Sequence, residues 1–584
     1  MFLATTAEEG CWDTSKRIVF LGEWCQRFSR TAAWHRLDAD TLPDPWNDLA
    51  ARRVAYAEIG AHYESLLPVV GNALNQLHGE SHDTRYWRLI VGHWLYHYIS
   101  VLHDRHAAIT RALDRYPGIS TILLAESSMV IPQSTYEFIR LLVSDTYNLQ
   151  IYTRILAATG HDAYPRVAIP PALAVSYPAA PGMPPLLRYL IKALLNAVLS
   201  VIGRGRIILH DSFFTRQMEL RLSLKTRGAI LPCTAPNADN ESPPINRVSR
   251  LALRELLAAP QGFEALLAKL LPQDIPVCFV EGYAATKAAA QRYPAAPRAI
   301  FSANSWAYDE VFKQWAGRNA GRGTLLLGAQ HGGGYFGIGT IFPFLDWEFS
   351  IVDRYYTWGW TPAGPTALKA RPMSSTLLSS NPETPADNGK SGILYVGTAE
   401  PRYLLSLQNP IGLFAKYLDW QQRFLRISPD SVKRALLVRL YAEDYGWDIR
   451  ERWQTAAPAT RFDDANRPFL DSLKSCRLYV CDHLGTTFYQ AMAANRPSIL
   501  FFDPELNPML PEGQHAFDKL REAGIVFDSP EAAAAAIALR HDDVETWWNS
   551  VPIQTARLVF CAGYAKTSST IIEEYSAELL NILN

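Results

Sequence analysis

Residues 324–339 read TLLLGAQHGGGYFGIG. A leucine-rich run leads into Gln330 and His331, and the glycines Gly332, Gly333 and Gly334 follow at once. The pattern predicts a buried strand that ends in a polar, glycine-lined turn. In an open α/β sheet, ligands bind outside the carboxyl ends of the strands. Glycines at such a point let the backbone come close to a ligand, and their N–H groups can cradle an anion. The plain alternative is a tight loop that uses glycine for geometry alone.

The same grammar recurs along the chain. Short apolar runs at 16–22, 206–210, 276–280, 298–302, 392–396, 478–481 and 497–502 read as strands, most with polar residues directly behind them. Runs at 54–67, 85–103, 309–318, 411–426 and 431–442 are long enough and amphipathic enough for helices. From residue 298 onward the alternation of strand and helix predicts a parallel α/β sheet. The fold class is therefore α/β. The expected division is 1–297, a Rossmann-like half enlarged by helices, then 298–555, a second Rossmann-like half. A final helical stretch, 556–584, is expected to pack back across the boundary.

Composition narrows the function. The 584 residues carry a formal net charge of −1, which gives no global argument for a nucleic-acid partner. Seven cysteines without a CxxC pair fit a reducing compartment better than a disulfide scaffold. The N-terminal MFLATTAEEGCWD lacks the basic start and long apolar core of a signal peptide. The most apolar stretch, LLRYLIKALLNAVLSVI at 186–202, is interrupted by Arg188, Lys192 and Asn196 and reads as a buried or surface-seeking helix. No GxxxxGK[ST] loop, no GxGxxG after the first strand, and no HExxH or cysteine cluster is present. This counts against a P-loop enzyme, a dinucleotide oxidoreductase and a zinc enzyme, and no metal or cofactor is expected. His93, His97 and His103 share one helical region but break the face of a ligand set, so a packing helix is the simpler reading.

The candidate chemistry sits behind the strands. Glu23, Asp211 and Glu281 each follow an apolar run. A carboxylate there can deprotonate an acceptor hydroxyl or attack an electrophilic carbon. A cap or a salt bridge is the alternative, most plainly for Asp211 before Ser212. Asn304 and Ser305 follow one strand, Gln330 and His331 another, so all four would face one ligand if the strands are neighbours. His331 can donate to a phosphate or act as a base. The segment Asp482-His483-Leu484-Gly485-Thr486-Thr487 joins a strand to a helix whose first N–H groups would be free, which suits a phosphate. Glu505, two residues after Asp503, could accept hydrogen bonds from sugar or ribose hydroxyls.

These blocks resemble a known group. FLATTAEEGCWDTSKRIVFLGEWC at 2–25, RYWRLIVGHWL at 85–95, FSANSW at 301–306, GAQHGGGYFG at 328–337 and CDHLGTTFYQAMAANRPSI at 481–499 look like bacterial transferases of O-antigen and surface-carbohydrate synthesis. The resemblance implies a cytoplasmic glycosyltransferase of GT-B-like fold, two Rossmann-like domains facing a cleft. It implies a nucleotide-sugar donor in the C-terminal half and a glycan or glycolipid acceptor in the N-terminal half, with CMP-Kdo or a related CMP-ulosonic acid as one donor class. It also implies peripheral contact with the inner membrane and with polysaccharide-assembly proteins. A nucleotide-sugar epimerase of similar fold, and a non-catalytic binding scaffold, are the rival readings.

Overall fold

The structure is a computed structural model. It describes residues 1–174, 198–199, 201–236, 243–257, 262–333, 346–380, 392–407, 411–464, 466–505 and 507–583. Gly334 and most of the apolar stretch at 186–202 lie outside them.

All its sheets are parallel. Strands β1 (Phe2–Ala4), β2 (Ile18–Phe20) and β3 (Ala39–Thr41) form a small sheet, and β4 (Leu123–Leu124) pairs with β5 (Arg166–Val167). Between them run α1 (Leu49–His78), α2 (Thr84–Ile90) and α3 (Gly92–Arg115). Helix α3 is a packing helix: His93, Trp94 and His97 are buried, and burial holds both imidazoles below their ordinary pKa.

The next six strands make one sheet: β6 (Ile207–Leu209), β7 (Ile230–Pro232), β8 (Ala299–Ser302), β9 (Leu325–Ala329), β10 (Arg354–Thr357) and β11 (Ala370–Pro372), in the order β11-β10-β9-β8-β6-β7. Six more make a second: β12 (Ile393–Val396), β13 (Leu436–Arg439), β14 (Arg461–Phe462), β15 (Leu478–Cys481), β16 (Ser498–Phe501) and β17 (Val526–Phe527), ordered β14-β13-β12-β15-β16-β17. Every residue of β6, β8, β12, β15 and β16 is buried, so these strands read as continuous apolar runs rather than alternating ones. The α/β fold with two Rossmann-like sheets agrees with the GT-B-like class.

The boundary at 297/298 does not. Ile207–Leu209 pairs in register with Ala299–Phe301, so the expected division cuts one sheet in two. The first sheet runs from 207 to 372, the second from 393 to 527, and residues 1–167 form a lobe of their own. Two local expectations also fail, and the stretch 229–244 holds edge strand β7. Residues 276–280 form a 3-10 turn at Val277–Phe279 rather than a strand. The expected helix at 431–442 stops at Ala435 and gives way to β13.

The chain end ties the sheets together. Helix Val551–Tyr564 packs on the second sheet's helices, and Ile571–Leu583 crosses to the first. There Tyr575 and Leu579 pack with Leu209, Phe301 and Tyr356. The N-terminal lobe is pinned to the second sheet by Asp145, which accepts two 2.7 Å bonds from buried Arg402 and one from Tyr403.

Candidate active site

The first sheet sends three turns to one place because β9, β8 and β6 are neighbours. Behind β6 the chain turns sharply. Asp211 and Phe213 both adopt positive φ, 47° and 61°, a conformation that costs energy in non-glycine residues. The turn leaves Asp211 exposed while His210 and Ser212 on either side are buried. Asp211 Oδ2 accepts from Ser305 Oγ, behind β8, at 3.4 Å. Ser305 Oγ lies 2.9 Å from His210 Nδ1, and Tyr293 Oη lies 3.0 Å from His210 Nε2. One directed order satisfies all three contacts: Tyr293 donates to His210, His210 to Ser305, and Ser305 to Asp211. Asn304 is half-buried beside them, and its side chain does not cap the short helical turn that follows.

Behind β9, His331 Nε2 lies 2.9 Å from Glu348 Oε1, and Tyr355 donates to Glu348 Oε2 at 2.8 Å. Burial works against a charged ring here, but Glu348 and then Asp211 outweigh it and hold the His331 pKa above the ordinary histidine value. Gln330 turns inward instead of toward a ligand. Its Oε1 accepts from Trp358 N at 2.9 Å and Trp360 Nε1 at 2.8 Å, and its Nε2 donates to Gly332 O at 2.8 Å.

The second sheet meets this edge at the turn behind β9. Gly333 N donates to Thr486 Oγ1 at 3.0 Å, and a Cβ on Gly333 would stand 2.2 Å from the Tyr489 ring. The glycine there serves a close approach between two sheets, so that N–H is not available to an anion. Thr486 opens helix Thr486–Ala493, with Gly485 as N-cap and no side-chain cap. The N–H groups of Thr486 and Thr487 have no acceptor among the described residues. Thr487 Oγ1 accepts from Tyr479 at 2.9 Å, so that hydroxyl faces the helix interior of the site rather than a ligand.

Asp482 is consumed by its surroundings. Its Oδ2 accepts from Tyr395 at 2.6 Å and Gln421 at 2.7 Å, and its Oδ1 from Tyr417 at 2.9 Å. Oδ1 also lies 3.1 Å from His483 Nδ1, which orients the ring with Nε2 over Gly485. Burial again opposes charge on that ring, yet Cys481 and Asp482 raise its pKa to about 10. A cationic His483 thus stands at the positive end of a helix, an arrangement that attracts an anion. Glu505 is exposed behind β16, the strand next to β15, in a turn where its N–H donates to Asp503 Oδ1 at 2.9 Å.

Two expected carboxylates stand elsewhere. Glu281 follows a 3-10 turn rather than a strand, and Arg250 holds both its oxygens in a buried bidentate pair at 2.8 and 2.9 Å. That is a structural ion pair with no oxygen left for an acceptor. Glu23 opens a 3-10 turn behind β2 of the small N-terminal sheet. Burial and Asp44 raise its pKa, with Lys416 and Arg452 opposing, so its neighbours belong to the second sheet's side and not to Asp211. Sequence reading missed Glu348, which lies 17 residues beyond His331, and the Tyr395, Tyr417 and Gln421 cage around Asp482. Nothing in their spacing announces either. Among the described residues no group of three or more His, Cys, Asp or Glu could hold a metal ion, and no helix is long and apolar enough to cross a membrane.

The turns behind the two sheets thus hold an exposed acid, the imidazoles of His331 and His483 and the start of a helix. The chain belongs to the LIC12162 family transferases, whose sequence profile matches residues 1–579. No protein of curated function matches the chain. Among solved structures it is similar to a UDP-GlcNAc 2-epimerase from Neisseria meningitidis, with 8% identity and a TM-score of 0.34 over 64% of this chain and 100% of that one. It is also similar to trehalose-6-phosphate synthase OtsA, with 10% identity and a TM-score of 0.35 over 65% and 98%. A third is the glycosyltransferase SsfS6 of Streptomyces sp. SF2575, with 10% identity and a TM-score of 0.29 over 64% and 99%. Likeness at this level carries nothing about substrate.

Proposed function

We propose that this transferase moves a sugar from a nucleotide-sugar to a bacterial surface glycan or glycolipid acceptor. The observation that supports the reading is the contact between Gly333 and Thr486, which sets the start of a helix beside the turn behind β9. In this reading the second sheet holds the donor phosphate on His483 and the N–H groups of Thr486 and Thr487. Glu505 receives hydroxyls of the ribose or sugar.

Asp211 takes the proton of the acceptor hydroxyl. The acceptor oxygen then bonds to the anomeric carbon as the carbon–oxygen bond to phosphate breaks. The nucleotide leaves with that electron pair, stabilised by the imidazolium of His483 and, from the other side, of His331. No metal is needed for that charge balance.

For the donor we carry forward CMP-Kdo or a related CMP-ulosonic acid. A lipid-linked acceptor would place the enzyme on the cytoplasmic face of the inner membrane. The test is a panel of nucleotide-sugars incubated with candidate acceptors, with mass and linkage analysis of the products. The reading expects a glycosylated acceptor and a stoichiometric free nucleotide. An isomerised nucleotide-sugar without transfer would move the chain to the epimerase class, and binding without turnover to the scaffold class.

A further inference from the structure

A cavity of about 460 Å³ lies at the opposite end of the first sheet. Leu326 near the start of β9 and Ile351 before β10 reach it, whereas the cleft begins beyond Ala329 at the strand's other end. At about 3.3 Å per residue the two are separated by roughly the length of the strand, on the order of 15 Å. It is a separate site, and nothing in the argument for it rests on the cleft's chemistry.

Arg85, Lys287, Arg318 and Arg322 line the cavity with the carboxylates Glu80 and Asp83, and Asp353 stands against Arg85. Two of the cations are already occupied. Lys287 donates to Glu80, and Arg85 pairs with Asp353 at 3.0 Å while donating to Ile351 O. Asp83 is spent on capping α2, accepting from Tyr86 N at 2.8 Å. The guanidinium groups of Arg318 and Arg322 have no hydrogen-bond or ion-pair partner among the described residues. His82 stacks on Tyr86 at 3.7 Å between ring centroids and gives the cavity a flat aromatic wall. Leu89, Leu326 and Ile351 give it an apolar floor.

We propose that this cavity binds a phosphorylated small molecule. Guanidinium forks match phosphate oxygens bidentately. A phosphomonoester offers the two unpartnered guanidinium groups nearly two negative charges and three oxygens near neutral pH, whereas a carboxylate offers one charge and two oxygens. The volume suits a metabolite of a few carbons with its ester, resting on the floor with a hydroxylated face toward His82.

The test is titration calorimetry of the full chain at low ionic strength, with glycerol phosphate as probe and acetate as the monoanion control. Wild type, Arg318→Gln/Arg322→Gln and His483→Ala are compared. Glycerol phosphate is expected to bind wild type and His483→Ala alike at this site, and about tenfold or more weaker in the double arginine variant. Should the double variant melt early, Arg322→Gln alone, at an exposed position, gives the same comparison. Unchanged glycerol phosphate affinity in the arginine variants, or acetate binding as tightly as glycerol phosphate, overturns the proposal. Loss of the binding event in His483→Ala alone would likewise overturn it, by assigning that event to the cleft.

Discussion

The carboxyl ends of the two sheets look alike in sequence and do opposite things in space. On the first sheet the acid is left outside: Asp211 is exposed, held in a strained turn, and touched by Ser305 at 3.4 Å. On the second the acid is sealed: Asp482 is 4% exposed, with Tyr395, Tyr417, Gln421 and His483 around it. What faces the cleft there is the ring that Asp482 orients and the start of a helix. In the proposed function one edge offers a carboxylate to a hydroxyl, and the other offers positive charge to a phosphate. A carboxylate after an apolar strand is only a candidate until its donors are counted.

That contrast can be broken by substitution. Asp211→Asn is expected to give the largest loss, about 10²- to 10⁴-fold in turnover, with an unchanged circular dichroism spectrum and melting temperature. Wild-type turnover would remove Asp211 from the chemistry. Glu281→Ala is its counterpart. Breaking the buried pair with Arg250 is expected to cost about 3–5 kcal/mol of stability, read by urea denaturation, while the folded fraction keeps its specific activity.

Gly333→Ala attacks the contact between the edges. With the Tyr489 ring 2.2 Å from the new methyl, either the turn or the ring must move. Overpacking of this kind costs about 1–3 kcal/mol, and nucleotide affinity by fluorescence titration should fall with it. Unchanged stability and affinity would show that the sheets do not depend on this approach.

The subtlest prediction concerns pH. His331 has a raised pKa in the folded protein, so its pairing with Glu348 stabilises fully below the ordinary histidine pKa, and that stability is lost as pH rises through the raised value. Glu348→Gln is expected to lower the His331 pKa toward the ordinary histidine value, visible in the imidazole resonances on NMR titration. The alkaline limb of the rate profile should shift toward acid with it. A stationary resonance would mean that Glu348 is not what charges the ring.

Much of this was legible in the chain. The strands β8, β9, β12, β15 and β16 announce themselves because a strand buried on both faces must be continuously apolar. Asp211, Ser305 and His331 follow from their places behind such strands, once β6, β8 and β9 are adjacent. What escaped was whatever depends on pairing between distant segments. Residues 277–279 are as apolar as a strand, but no neighbour strand pairs with them, and the backbone closes into a 3-10 turn. Edge strands β7, β14 and β17 have two or three residues each, too few to show a period. The domain boundary was misplaced for the same reason: only the pairing of 207–209 with 299–301 assigns β6 to its sheet. Partners such as Glu348 and Gln421 come from separate helices, and no local pattern marks them.

The division of labour between the two edges is the central claim, and donor binding measured apart from turnover tests it most directly. Titration of the nucleotide-sugar identified by the panel should show affinity largely lost in His483→Ala and retained in Asp211→Asn, with turnover falling in both. Equal loss of affinity in the two variants, or full affinity in His483→Ala, would contradict it.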